Sequence, residues 1–162
     1  MIPPKQNSTW YRFKEIQEKK YWFGCRKSLL KMTFASFAIE ATLHLTQHDT
    51  SETKEIFPLL YLTLETLEIE KNKNKALYIL LSYIVALFQI TGFSQTLIEK
   101  SVSENVTSWF KDANNSSNGL STPNSLNQMK DALVSMYFAI EDVSEIRLKS
   151  KESINNIILQ SF

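Results

Sequence analysis

Glu40 and His44 stand four residues apart, a spacing that sets two metal-ligand types on one face of a helix. The pattern is not the HExxH of a zinc hydrolase. No third or fourth ligand recurs at a matching spacing, so no metal is expected and His44 reads as a helix-surface histidine. His48, one turn further on, falls near the helix end, where the macrodipole mildly favours an imidazolium. Cys25 is the only cysteine, so neither an internal disulfide nor a cysteine-rich zinc site can form. Arg26 and Lys27 beside it could lower a thiol pKa, but nothing supplies a partnered base, and a buried inert thiol is expected. There is no glycine-rich phosphate loop, no GxSxG elbow and no paired acid on a recognisable scaffold. The residues argue against an enzyme and imply no cofactor.

Charge is the remaining chemical signal. The net charge of +1 is uninformative, but residues 1–31 hold eight bases against two acids, while the rest holds ten against fifteen. A basic front on an acidic body can present one face to an anion, although a solvated charged face is the commoner outcome. Within the front, Trp10, Tyr11, Arg12, Phe13 and Lys14, then Lys19, Lys20, Tyr21, Trp22 and Phe23, interleave aromatics with bases. That mixture can stack on and neutralise a single strand, and core packing accounts for part of it equally well. Arg26, Lys27 and Lys31 follow in the first turns of a helix, where the macrodipole prefers acids, which leaves them available to a ligand.

These residues must be carried by helices. Few glycines and prolines in 162 residues, with abundant Leu, Ile, Lys and Glu, fit an all-α chain better than one of many tight turns. The organising stretch is Ala76 to Ile90, apolar except for Ser82 and Gln89, led by Lys71, Lys73 and Lys75 and closed by Gly92 at a left-handed cap position. At roughly 22 Å it is too short for a bilayer, which needs about 20 apolar residues. It is the expected buried central helix. A long helix is expected from about Trp22 to His48, with Leu29, Met32, Phe34, Phe37, Ala38, Ala41 and Leu45 in the core. A second, opened by a capping box at Asp49–Glu52, runs to Lys71. Gln95 to Trp109 is weakly helical, Leu126 to Ile140 is a helix, Glu141 to Arg147 a break, and Ser150 to Leu159 a last helix capped by Ser150. Tyr11 to Ile16 alternates like a short strand without a partner. The expectation is a single helical domain of about five to six helices around a central buried helix, with a short N-terminal strand remnant. Residues 1–21 form an arm and 22–162 the helical domain, with a flexible polar loop at about 111–125. Without a signal-like or membrane-spanning stretch, and with one cysteine, the chain suits the cytoplasm.

Taken in order, these pieces resemble the helical C-terminal domain of the RecO family of bacterial recombinational repair mediators, over about residues 10–160. Tyr11-Arg12-Phe13-Lys14-Glu15 is similar to the family's last strand before its helices. Arg26-Lys27-Ser28-Leu29 with Ala35-Ser36-Phe37-Ala38-Ile39-Glu40 resembles its first long helix. Glu55-Ile56-Phe57-Pro58-Leu59-Leu60 resembles the ELFxLL start of the second, and Ala86 to Phe93 the LLxxLGY close of the third. Leu148-Lys149-Ser150-Lys151-Glu152 resembles the LKSR before the last helix. Three features depart from the family: the DNA-binding OB-fold domain is represented only by its presumed last strand, as in a fragment or a shortened relative. Lys100 to Ser125 lacks the paired zinc cysteines, and Ser82 stands where a central-helix arginine docks the tail of single-stranded-DNA-binding protein.

The resemblance implies a mediator that binds single-stranded-DNA-binding protein through its C-terminal tail, a RecR-like partner and single-stranded DNA, promoting recombinase loading and strand annealing. Arg26, Lys27, Lys31, Lys149 and Lys151 are then the candidates for DNA phosphates. Lys71, Lys73 and Lys75 would neutralise the acidic tail, and Tyr83 and Phe88 would line an apolar groove for its terminal aromatic. Two other readings stay open: an all-helical ligand-sensing or dimerisation domain with a pocket beside Tyr83 and Phe88, and a structural relative without retained activity.

Overall fold

Three polar side chains set where the long helices begin. The amides of Lys31, Lys75 and Gln128 donate to Ser28 Oγ (3.4 Å), Asn72 Oδ1 (3.1 Å) and Ser125 Oγ (3.1 Å), each satisfying a first-turn N–H that has no partner within its helix. The computed structural model describes residues 22–46, 53–115 and 125–161. Its helices are α1 (Phe23–Arg26), α2 (Leu29–Leu45), α3 (Thr53–Ile69), α4 (Lys73–Ile90), α5 (Ser94–Glu99), α6 (Glu104–Asn115), α7 (Leu126–Ser144) and α8 (Lys151–Ser161). They form one all-helical domain, with no strand among the described residues. The strand expected at Tyr11 to Ile16, the 1–21 arm and the Asp49–Glu52 capping box lie outside those residues.

α4 is the central helix. Its buried residues include Leu77, Leu80, Leu81, Tyr83, Ile84, Leu87 and Phe88, and α2, α3, α5, α6 and α7 pack against it. It ends where Gly92 adopts φ +77°, the left-handed conformation that glycine enters without a Cβ penalty. The Phe93 amide then donates to Phe88 O (2.9 Å) and the Gly92 amide to Gln89 O (3.3 Å), the paired bonds of a Schellman stop. Among the described residues no helix is long and apolar enough to cross a membrane.

The helices number more than expected because polar caps cut the apolar runs. The Trp22–His48 helix is two, since Ser28 adopts extended backbone and caps α2. Gln95 to Trp109 is divided between α5 and α6. α6 runs on through Asp112 to Asn115, the first part of the expected loop, because Trp109, Phe110 and Ala113 are buried and Gln89 Nε2 donates to Ala113 O (3.0 Å) and Asn114 Oδ1 (3.1 Å). α7 passes the expected break at Glu141 and stops at Ser144, before left-handed Glu145 (φ +56°).

Candidate functional site

One end of the bundle is assembled from three helix ends. α1 packs on both α2 and α3, close enough that a Cβ on Gly24 would lie 2.7 Å from Glu68 Cγ and from Glu68 O, so only glycine fits there unshifted. Trp22 meets Tyr61 edge-on at 5.3 Å between ring centroids, fixing the start of α1 to α3. The Gly24 amide donates to Glu68 Oε1 (3.3 Å), and Lys31 Nζ donates to Glu68 O (2.7 Å). A carboxylate therefore sits at the start of α1 and an ammonium at the end of α3, each where the helix dipole favours it. Cys25 is buried at this junction; burial, then the nearby Glu68 charge, pushes its thiol pKa up, against a smaller lowering by Lys31. Burial and the direction of that shift both favour the neutral thiol.

Beyond the junction the chain turns from α3 into α4. Glu70 Oε1 accepts from the Asn72 amide (2.7 Å) and the Lys71 amide (2.8 Å). The Asn72 amide holds the Glu70 carboxyl below its usual range; partial desolvation opposes it, and the Lys71 amide, Lys75 and Lys31 reinforce it. Lys31 and Lys75 are both near enough to Glu70 to lower its carboxyl, so the starts of α2 and α4 lie at the same end of the bundle. Arg26, Lys27, Lys71, Lys73 and Lys75 are exposed around this end, with Lys31 half-buried among them. Glu68 Oε1 and Glu70 Oε1 accept from backbone amides, while Glu68 Oε2 is buried without a hydrogen-bond partner among the described residues. The residues expected to contact DNA at the front and those expected to meet an acidic tail are therefore one basic surface.

Lys149 and Lys151 lie elsewhere. Glu40, eleven residues beyond Leu29 and so about 16 Å along α2, receives the Lys149 amide at Oε1 (2.8 Å), the Ser150 amide at Oε2 (3.0 Å) and the Ser150 hydroxyl. Lys151 is occupied: its Nζ is 2.8 Å from Glu141 Oε2 and 4.9 Å from the centroid of the Phe138 ring. Lys31 is occupied as well. Tyr83 and Phe88 are 2% and 0% exposed, so both side chains are core and neither lines a surface groove. Tyr83 instead bonds Thr42. Because the Thr42 hydroxyl donates its single proton to Ala38 O (2.7 Å), the Tyr83 hydroxyl is the donor between the two.

A groove of about 1090 Å³ runs between α2 and the start of α8. Leu29, Met32, Ile39 and Leu43 form one wall and Ser153, Asn156 and Ile157 the other, with Arg147 and Lys149 at the rim. Glu40 and His44 lie in it, with His44 Nε2 3.8 Å from Glu40 Oε1 and Nδ1 buried without a protein partner. Burial by itself would raise the Glu40 pKa; the Ser150 hydroxyl, the Lys149 and Ser150 amides and His44 outweigh it and hold the carboxyl low. The spacing that suggested a metal pair instead anchors α8. Among the described residues no three potential metal ligands gather.

Sequence reasoning missed two things here. Nothing local to Glu40 announces a bond to a segment 110 positions away. The three-and-four spacing of Leu29, Met32, Ile39 and Leu43 was readable, but α2 is apolar on so many sides that Leu29 and Met32 read as core, whereas both are exposed. The chain matches no protein-family model, no curated protein and no solved structure.

Proposed function

We propose that the basic end of the bundle binds the phosphates of single-stranded nucleic acid, and that the chain is a helical mediator domain of the RecO kind, acting by binding without turnover. The observation that carries this reading is the gathering of the exposed Arg26, Lys27, Lys71, Lys73 and Lys75 around one end, beside the half-buried Lys31 that Glu68 O holds, with Glu70 turned to backbone amides. A surface of that kind releases counterions when it meets a polyanion, which gives salt-dependent, sequence-tolerant affinity. Support for the mediator role is the order of the motifs along the chain. In that role the domain would hold single-stranded-DNA-binding protein, a RecR-like partner and single-stranded DNA together. The acidic tail of the first would meet Lys71, Lys73 and Lys75, with the exposed Ile69 and Phe23 supplying apolar surface in place of Tyr83 and Phe88.

The test is the salt slope of binding to a fluorescent oligothymidine. Replacing Lys71, Lys73 and Lys75 together by alanine flattens the slope by about 2 units, since each lost single-strand phosphate contact removes about 0.7. Arg26→Ala flattens it by about 0.7 and Lys149→Ala leaves it unchanged. A triple variant with the parental slope overturns the assignment of this surface.

A further inference from the structure

The short helix α1 carries aromatic side chains at one end and cations at the other. The Arg26 amide donates to Trp22 O (3.2 Å) and the Lys27 amide to Phe23 O (3.1 Å), so Arg26 follows Trp22, and Lys27 follows Phe23, by one helical turn. The aromatic end continues onto α3. Tyr61 meets Trp22 at 5.3 Å, and Phe57, one turn back along α3, lies 6.5 Å from Tyr61 between ring centroids with the planes inclined at 34°. Phe57, Tyr61 and Trp22 thus make a row that crosses from α3 to α1, where Phe23 is the next residue. The inner contact, Trp22 on Tyr61, packs α1 against α3. The outer rings do little packing: Phe57 is 69% and Phe23 59% exposed, and Tyr61 between them is 37% exposed. Single exposed rings are ordinary on a protein surface, but two flanking a packed aromatic pair beside exposed cations make a patch.

The charges along the row are positive. Exposed Lys54 stands one turn before Phe57, and exposed Arg26 and Lys27 follow the aromatics of α1. Glu55 is two positions from Phe57 and so on the other side of the helix. Glu65 and Glu68 lie further along α3, past the point at which the row crosses to α1, and Glu68 Oε1 accepts from the Gly24 amide. We propose that Phe57, Tyr61 and Phe23 form a base-stacking platform for the unpaired bases of a single strand, leading into the cations of α1 and making the domain selective for single-stranded over duplex nucleic acid. The inference rests on the nucleic-acid reading above and adds a second source of affinity. Counterion release at the basic end depends steeply on salt, whereas stacking uses the flat faces of the bases and tolerates any sequence. In a duplex those faces are stacked on one another and cannot reach the rings.

The test compares a labelled oligothymidine with an abasic oligonucleotide of equal length, which keeps the phosphates and lacks the bases, each titrated with the full chain. The parent is expected to bind the thymidine strand about fivefold or more tightly than the abasic one, the lower range for one base on one ring. Phe57→Ala is expected to lose about that factor for the thymidine strand, with the salt slope and the abasic affinity unchanged, and Phe57→Trp to retain it. With the strand annealed to its complement, Phe57→Ala is expected to make no difference. Val102→Ala, at an exposed site between α5 and α6, is the control without effect. A single 5-iodouracil in the strand is expected to photo-cross-link to Phe57, Tyr61 or Phe23, identified by mass spectrometry of the adduct peptide. Equal affinity for the two strands in the parent, or an unchanged Phe57→Ala, overturns the platform and, where the salt slope persists, leaves the basic surface standing. Absence of salt-dependent binding to both strands overturns the nucleic-acid reading and the platform with it. If Phe57→Ala instead weakens binding to phosphatidylglycerol vesicles and leaves both strands unaffected, the row faces a lipid surface, which replaces the proposal.

Discussion

α4 and α2 are both apolar nearly all round, yet only α4 is enclosed. Five helices pack against α4, so its Leu77, Leu80, Ile84, Leu87 and Phe88 are all at 0% exposure, while the stripe through Tyr78, Ser82, Ala86 and Gln89 reaches solvent. α2 buries Phe34, Phe37, Ala38 and Ala41 against α4 and α7 and leaves Leu29, Met32, Ile39 and Leu43 in the groove. A helix that is hydrophobic all round belongs inside something. For α4 that is the domain itself; α2 is half supplied by the domain, and its other half asks for an additional surface.

The largest expected effect falls on the enclosed helix. Phe88→Ala removes a fully buried ring where neighbours on all sides prevent collapse, and costs about 3–5 kcal/mol in urea unfolding. A cost below about 1 kcal/mol would mean that α4 is not the rigid centre.

Next comes the polar anchor of α2. Glu40→Ala removes the acceptor of three hydrogen bonds to the start of α8 and costs about 2 kcal/mol, the range for bonds to a charged group and for a helix cap. Its pH dependence has a definite sign. The folded-state pKa is lowered, so the unfolded chain takes up the proton first as pH falls. The contribution is fully present above the ordinary carboxyl pKa of about 4.3 and is lost as pH falls through the folded value. Glu141 behaves in the same direction: burial, which alone would raise its pKa, is outweighed by Lys151 and the Leu148 amide. Urea midpoints between pH 7 and pH 3 should therefore fall less steeply in Glu40→Gln than in the parent, with a residual slope from Glu141. Identical slopes would remove Glu40 from the account.

How far the sequence carries follows this same contrast. α4 was legible because its enclosure is written in its own fifteen apolar-rich positions and in Gly92, whose left-handed conformation a stop demands. The basic end was legible only as two separate groups, Arg26 to Lys31 and Lys71 to Lys75. Joining them takes the Gly24–Glu68 approach, a tertiary contact with no local signature. Glu40 was visible as a helix acid and invisible as the cap of α8. The exposed face of α2 was hidden by abundance: where almost every position is apolar, periodicity cannot say which side is covered.

Tyr83→Phe probes the seam between the two helices. It removes the hydroxyl that donates to Thr42 while Thr42 still donates to Ala38 O, so no buried donor is stranded, and the cost should be about 1 kcal/mol. Removing Thr42 as well, in Thr42→Val/Tyr83→Phe, should add little, because the pair shares one interaction. Additive costs in that cycle would mean that the two hydroxyls act separately.

The smallest effect on folding is expected at Leu43, and it separates the two helices most sharply. The side chain is largely exposed, so Leu43→Gln should alter the unfolding free energy of the dilute monomer by less than about 0.5 kcal/mol, in contrast to Phe88→Ala. A loss above about 2 kcal/mol in urea unfolding would instead mean that the Leu43 side chain is covered in the folded chain.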